Sequence, residues 1–269
     1  MPRYGGVLTF PDFRGFTRAL ILWNLAAYFV LLLMGVASGQ AAITLEQYMA
    51  LVPPAFLHGW IWQIVTYSFV HVGILSTALE LLSLWFLGSF LESSHGTRWL
   101  VEIYFVSVIG AGIAAVALFL AMPASAVALT GCYGGVFGLL IAFGVLYGDM
   151  QFMMFPLPMM IKAKYLVGVY MLISLAMLFS AQRVFAFSEL GGALFGFLYI
   201  KFAPRRGFAF AGGERWFGWR NDYYRWKRRR AAGKFEVYMK KQGRTVRFDG
   251  QGRLIDEDDP RHDDRKRWN

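Results

Sequence analysis

The residues best placed to do chemistry in this chain stand where polar groups interrupt apolar sequence. The stretch Gly131-Cys132-Tyr133-Gly134-Gly135-Val136-Phe137-Gly138 leads a loop into an apolar segment and holds four glycines in eight positions. Tyr133, at the mouth of that segment and flanked by glycines, sits where a nucleophile would be presented, and a phenol is an odd choice for that work. Cys132 is the only cysteine, so no intrachain disulfide can form. Glu80 and Glu189 are the acidic residues deepest in apolar segments. A carboxylate at a bilayer centre costs roughly 2.5–3.5 kcal/mol on insertion scales, so neither is expected to face lipid. Ser76, Glu80 and Ser83 share one helix face, as do Glu189, Gly192 and Gly196. Two carboxyls converging on one cavity would suit hydrogen bonding between helices, a proton or ion path, or activation of water, and the residues alone leave these open. His71 stands alone near the start of its segment. No group of His, Cys, Asp and Glu has the linear spacing of a metal site, so no metal and no cofactor is expected.

The elements that position these residues are membrane spans. Of the 269 residues 57% are apolar and only 16% charged, against about 25% charged in soluble domains. Six apolar stretches approach the roughly 17–25 residues that cross a bilayer: Ala19 to Ala37, Val72 to Leu91, Trp99 to Ala121, Gly131 to Gly148, Tyr165 to Phe179 and Val184 to Phe202. The first could be mistaken for a signal peptide, but it exceeds the 7–15 apolar residues usual there, so an uncleaved helix is expected. Gly134 and Gly138, four apart, offer a smooth face to a partner helix. Glu102, near the start of the third span, is expected to reach back to the surface.

Charge sets the orientation. Residues 1–200 balance seven basic against seven acidic residues, so the whole net charge of +10 lies in residues 201–269. With six spans both termini fall on one side, together with Arg3, Arg14, Arg18, Arg98, Lys162 and Lys164, leaving Arg183 alone opposite. Both termini are therefore expected to be cytoplasmic. The external segment Ser38 to Trp60 has no Lys or Arg; with Phe56, Trp60 and Trp62 it suits either the membrane interface or an ordinary loop. Phe155-Pro156-Leu157-Pro158 should turn the chain between the fourth and fifth spans. The organisation expected is a cytoplasmic segment 1–18, a six-helix transmembrane domain 19–203, and a basic cytoplasmic tail 204–269.

In the tail, Trp216, Trp219, Tyr223 and Trp226 recur at helical spacing among Arg220, Arg225, Lys227, Arg228, Arg229 and Arg230. Attraction to anionic membrane lipids accounts for this pattern, and so does a solvated positive-inside tail. No nucleic-acid module is recognisable, and no nucleic-acid partner is expected. Thr245 to Phe248 and Arg253 to Ile255 flank a weak hairpin signal at Asp249 to Gly252, and the acidic run Asp256 to Asp259 reads as disordered.

Taken in order, these features resemble the rhomboid family of intramembrane serine proteases over Trp60 to Phe202. The resemblance rests on Trp62 to His71, on Leu84-Trp85-Phe86-Leu87-Gly88 with Glu92, Gly96 and Arg98, and on Gly131-Cys132-Tyr133-Gly134 in place of the family's Gly-x-Ser-Gly. It continues through Pro156-Leu157-Pro158 with Lys162-Ala163-Lys164-Tyr165, similar to bacterial members, and through Leu190 to Gly196. It implies an all-α, six-helix bundle and a serine-type endopeptidase ancestry. It also implies which positions would react. Tyr133 stands for the serine nucleophile, Glu189 for the histidine base, and Ser76 and Glu80 for the histidine and asparagine that stabilise the oxyanion, while His71 is retained.

Each replacement removes a chemical requirement. A phenol with a pKa near 10 is a poor acyl-forming nucleophile here and would fill the scissile carbonyl's space. A negative Glu80 would repel a developing oxyanion, where losing one donor alone costs about 2.7–4 kcal/mol. Cys132 is one residue out of register, about 100° away on a helix. The resemblance thus implies a pseudoprotease of a bacterial inner membrane, with no intact catalytic residue. Gly131, Gly134, Gly138, Gly192 and Gly196 would serve as packing or client contacts. Its expected partners are membrane lipids and transmembrane segments of other membrane proteins, since inactive rhomboid relatives act in trafficking or quality control. The alternative is a peptidase with residual or serine-independent activity, through water held by Glu80 and Glu189. A proton-coupled transporter is weaker, for want of an inverted repeat.

Overall fold

The computed structural model describes residues 13–154, 159–202, 226–227, 230, 235 and 238–242. Helix α1 (Gly15–Ala37) buries Thr17, Leu20, Ile21 and Asn24 along one stripe and leaves Trp23, Leu33 and Val36 exposed. An apolar outer surface of this kind belongs against lipid. The expected first loop is mostly helical: α2 (Gly39–Met49), α3 (Pro53–Leu57) and α4 (Gln63–Thr66). Proline at the start of α3 supplies a helical φ where no amide donor is needed. The buried Gln63 ties these pieces together, accepting from the Val52 amide at 3.2 Å and donating to the Gln47 carbonyl at 3.1 Å. Tyr48, Trp60 and Trp62 gather at its outer edge, with Trp60 and Trp62 stacked 5.6 Å apart.

Helices α5 (Ile74–His95) and α6 (Thr97–Ala121) meet at Gly96, whose φ of +86° reverses the chain and whose amide closes on the Glu92 carbonyl at 2.8 Å. Helix α6 is central. Its Leu100, Ile103, Tyr104, Ser107, Val108, Ala111 and Ala115 are buried in succession. Next come α7 (Tyr133–Leu146), an antiparallel hairpin of β1 (Gln151–Met154) and β2 (Met159–Lys162), α8 (Ala163–Met177) and α9 (Arg183–Phe202).

Helices α7 and α9 pack glycine to glycine. A Cβ on Gly192 would lie 2.9 Å from the Gly134 Cα, and one on Gly196 would lie 2.8 Å from the Gly138 Cα. Only backbones without side chains approach so closely, and the contact energy is van der Waals packing along a smooth seam.

The all-α membrane class stands, and three details are added to it. Four helices, α1, α5, α6 and α9, are long and apolar enough to cross a membrane. The 14 residues of α7 and 15 of α8 reach only about 21–23 Å at 1.5 Å per residue, short of a ~30 Å hydrocarbon core. Second, one connection between helices is a short strand pair: the backbone on either side of the proline run pairs as β1 and β2, with Gln151 opposite Lys162. Residues 155–158 themselves lie outside the described residues. Third, Glu102 does not simply reach for the surface, since it accepts from the Tyr199 hydroxyl at 2.9 Å and so joins α6 to α9.

The chain divides into two units, residues 1–207 and 208–269. In the second, Trp226, Lys227, Arg230, Phe235 and Tyr238–Lys241 are helical, and the Arg230 guanidinium lies 5.2 Å from the Trp226 ring centre. Arg3, the segment 203–213, the remaining aromatic and basic positions, the hairpin signal and the acidic run lie outside the described residues.

Candidate functional site

The site forms where the loop before α7 crosses α5. Gly131 has φ +91°, and a Cβ there would stand 2.7 Å from Glu80 Oε1, so both backbone and space demand glycine. Its amide donates to the Val70 carbonyl at 2.7 Å and the Tyr67 carbonyl at 3.1 Å. The Tyr67 hydroxyl in turn donates to the Val108 carbonyl at 2.7 Å. The turn before α5, the middle of α6 and the start of α7 are thereby locked together.

Glu80 is buried, and its Oε2 accepts from the Cys132 amide at 2.9 Å. The start of a helix carries unpaired N–H groups and the positive end of the helix dipole, so a carboxylate is stabilised there. That explains how an acidic residue survives inside an apolar bundle. His71 Nε2 lies 3.0 Å from the same oxygen, with no side-chain exposure. The approach lacks hydrogen-bond geometry, and among the described residues neither imidazole nitrogen has a hydrogen-bond partner.

Tyr133 is half-buried and interacts electrostatically with both Glu80 and Glu189. Glu189 accepts a short hydrogen bond from the buried Ser174 of α8. The Glu80 and Glu189 carboxyls bond to different parts of the bundle, the residue before α7 and helix α8. Each has its own hydrogen-bonding partner, and among the described residues no hydrogen bond joins them.

Ser76 and Ser83 do not extend this cluster. Ser76 Oγ donates to the Val72 carbonyl in the turn before α5 at 2.6 Å, and Ser83 Oγ to the Leu79 carbonyl of α5 at 2.8 Å, and both residues are half-exposed. The buried face of α5 runs instead through Thr77, Glu80, Leu84, Leu87 and Gly88. The helical spacing of the serines was sound, but a hydroxyl that can bond back one turn needs no interior partner.

Cys132 is a second correction. The rotation of about 100° assumed that it lay on the helix. It is instead the residue that caps α7, with φ −91° and ψ 12°. Its thiol therefore turns toward α5, and Cys132 Sγ, a His71 ring nitrogen and a Glu80 oxygen lie within 4.8 Å of one another, all three residues buried. Sequence spacing hid this group, since its members come from three separate stretches. The signal that was available was the doubled constraint on Gly131, which pins the Cys132 backbone against whatever α5 presents.

A family described as eukaryotic integral membrane protein (DUF1751) matches residues 18–211. The chain is also similar to Rhomboid-like protein 19 of Arabidopsis thaliana, 24% identical over 173 residues. That match covers 59% of this chain and 54% of the relative, so the chain spans about half the length of the curated protein it matches. A multi-pass integral membrane placement stands. The expected bacterial membrane has no support, because the matching family is described as eukaryotic.

Proposed function

We propose that this chain, which belongs to the eukaryotic integral membrane protein family DUF1751, is a rhomboid-like scaffold that binds transmembrane segments of other membrane proteins and does not cleave them. The observation that carries the reading is Glu80. Its carboxylate already occupies the start of α7 at 2.9 Å from the Cys132 amide, where a rhomboid would receive its substrate's developing oxyanion. Tyr133 stands beside it in the nucleophile's position, with Glu189 in place of the base and Ser76 spent on the carbonyls of the turn before α5. An anion bound in advance, and a phenol in the carbonyl's path, leave binding without acyl transfer.

The finer organisation belongs to the same proposal. The short helices α7 and α8 complete a six-helix bundle within the membrane, both termini face the cytoplasm, and the basic tail meets anionic lipid. Support comes from two shorter apolar helices, α7 and α8, beside the four long ones, and from the Lys and Arg that six spans would gather on one side.

The test incubates purified full-length protein with a panel of transmembrane substrates, wild type beside Glu80→Gln and Glu189→Gln, and in parallel crosslinks the protein in native membranes. No cleavage by any form, with membrane proteins recovered by crosslinking, is the expected result. Cleavage by wild type that both variants lose would overturn it in favour of a carboxyl-dependent peptidase.

A further inference from the structure

The group formed by His71, Glu80 and Cys132 has a chemistry that a scaffold does not require. The residues arrive from the turn before α5, the middle of α5 and the residue preceding α7, and their donor atoms converge within 4.8 Å. The His71 side chain is wholly buried; among the described residues Nδ1 has no hydrogen-bond partner, and Nε2 has only the Glu80 carboxylate at 3.0 Å, without hydrogen-bond geometry. An imidazole left so in an apolar interior is costly, because buried polar groups are almost always satisfied. A carboxylate 3.0 Å away and a buried thiol share the same space.

We infer that His71, Glu80 and Cys132 form a binding site for a divalent transition-metal ion of the zinc type. The donor set is one nitrogen, one oxygen and one sulfur. Thiolate excludes the hard cations that prefer oxygen alone, and the mixed set is one that zinc takes readily. Zinc–nitrogen and zinc–oxygen bonds of about 2.0–2.2 Å and a zinc–sulfur bond of about 2.3 Å place ligands roughly 3–4 Å apart, which these atoms reach with small adjustments. Charge balances as well. Binding releases the thiol proton to solvent, and carboxylate plus thiolate then offset the two positive charges while the imidazole stays neutral. The Cys132 amide donates to Glu80 Oε2 and fixes the carboxyl's orientation, as an outer partner orients a metal-bound carboxylate. Three protein ligands leave a fourth position for water. The ion would clamp the loop before α5 to the start of α7.

The same three groups, read as thiol, base and orienting acid, have the order of a nucleophilic triad. Burial decides between the readings: Cys132 has 0% exposure, so no substrate carbonyl can approach it. A metal ion taken up as the chain folds needs no such approach. The inference is independent of client binding, since a scaffold that failed to bind clients would still hold the ion.

The experiment uses full-length protein expressed with added zinc and purified in detergent without chelator, with metal content measured by mass spectrometry. About one zinc per chain is expected in wild type, falling at least about tenfold in Cys132→Ser and in His71→Ala, a loss no smaller than that of outer-sphere partners. Ser83→Ala, whose hydroxyl bonds its own helix, keeps the ion. Because His71→Ala could disturb folding, cobalt-substituted wild type supplies a second readout: a thiolate-to-metal absorption band that is absent from Cys132→Ser protein of unchanged elution and melting temperature. Well-folded wild type that holds no zinc and shows no cobalt band, or zinc retained by Cys132→Ser, overturns the inference.

Discussion

Helix α5 sends a carboxylate to the beginning of two other helices, and the two seats are built alike but finished differently. Glu92 receives the start of α1: the Phe16 amide at 2.7 Å, the Thr17 amide at 2.9 Å and the Thr17 hydroxyl at 2.7 Å, with the Thr97 hydroxyl at 2.6 Å from the far side. Glu80 receives the start of α7 with one amide. Each seat is entered through a glycine of positive φ, Gly15 at +62° and Gly131 at +91°, whose missing Cβ leaves room for the carboxylate. The difference lies in what surrounds the acid. Glu92 is saturated by donors that ask nothing further of it, whereas Glu80 is flanked by a phenol, a thiol and an unbonded imidazole. One seat is a complete helix cap. The other holds spare chemical capacity, which is what separates a site from a structural contact.

The largest effect should fall on the glycines that admit the acids. Gly131→Ala forces a side chain into positive φ and into a buried carboxylate at once, which together cost about 2–5 kcal/mol. Gly15→Ala meets the same φ and pushes the part-buried Glu92 off its donors into water, so about 2–3 kcal/mol is expected, less than at Gly131 where the displaced carboxylate is buried. Melting of the two variants in detergent micelles checks the ranking, and equal losses would break the comparison.

Next come the acids themselves. Glu92→Ala strands two backbone amides at the start of α1 and removes two hydroxyl contacts, for about 2–3 kcal/mol. Glu92→Gln keeps one oxygen acceptor and should recover part of that loss. If Glu80 were only a cap, Glu80→Gln would behave in the same way. The expectation is instead that Glu80→Gln retains the Cys132 amide bond and, in metal-free protein, nearly all thermal stability, within about 1 kcal/mol, while changing what the His71 and Cys132 side chains can hold. Identical profiles for the two glutamine variants would make Glu80 a second Glu92.

How much of this could be read beforehand follows from the range of each interaction. Helix positions were legible because a run such as Thr97 to Ala121 declares itself by hydropathy alone. The α7–α9 seam was legible in part, because Gly134 and Gly138, like Gly192 and Gly196, repeat at the one spacing that aligns small residues on a helix. What escaped depended on partners that local pattern does not encode. Whether Ser76 turns inward is settled by a carbonyl in the turn just before its helix, and whether Cys132 lies on α7 is settled by where the first helical turn begins. The short helices α2 to α4 escaped because they are held by contacts such as Gln63 to Val52 and Thr66 to Met49 rather than by their own periodicity.

The smallest effect is expected at the surface charge cluster beside the hairpin, which sharpens the comparison by showing a carboxylate with partners but no burial. The Asp149 carboxyl lies 2.8 Å from the Lys164 ammonium and 3.8 Å from that of Lys162. The hydrogen bond and charge of Lys164, and then the charge of Lys162, hold its pKa below the ordinary aspartate range. A depressed folded pKa stabilises the protein above the unfolded value, and that contribution disappears as pH falls through the folded one. Asp149 is fully exposed, however, so water and salt screen the pair. Asp149→Asn should therefore melt with wild type at neutral pH and at every lower pH down to the aspartate range, in low salt and in high. A pH-dependent gap between the two would mean that this corner is shielded from water in the membrane-embedded protein, and that charge alone, without the buried seats of Glu80 and Glu92, can fasten one part of the bundle to another.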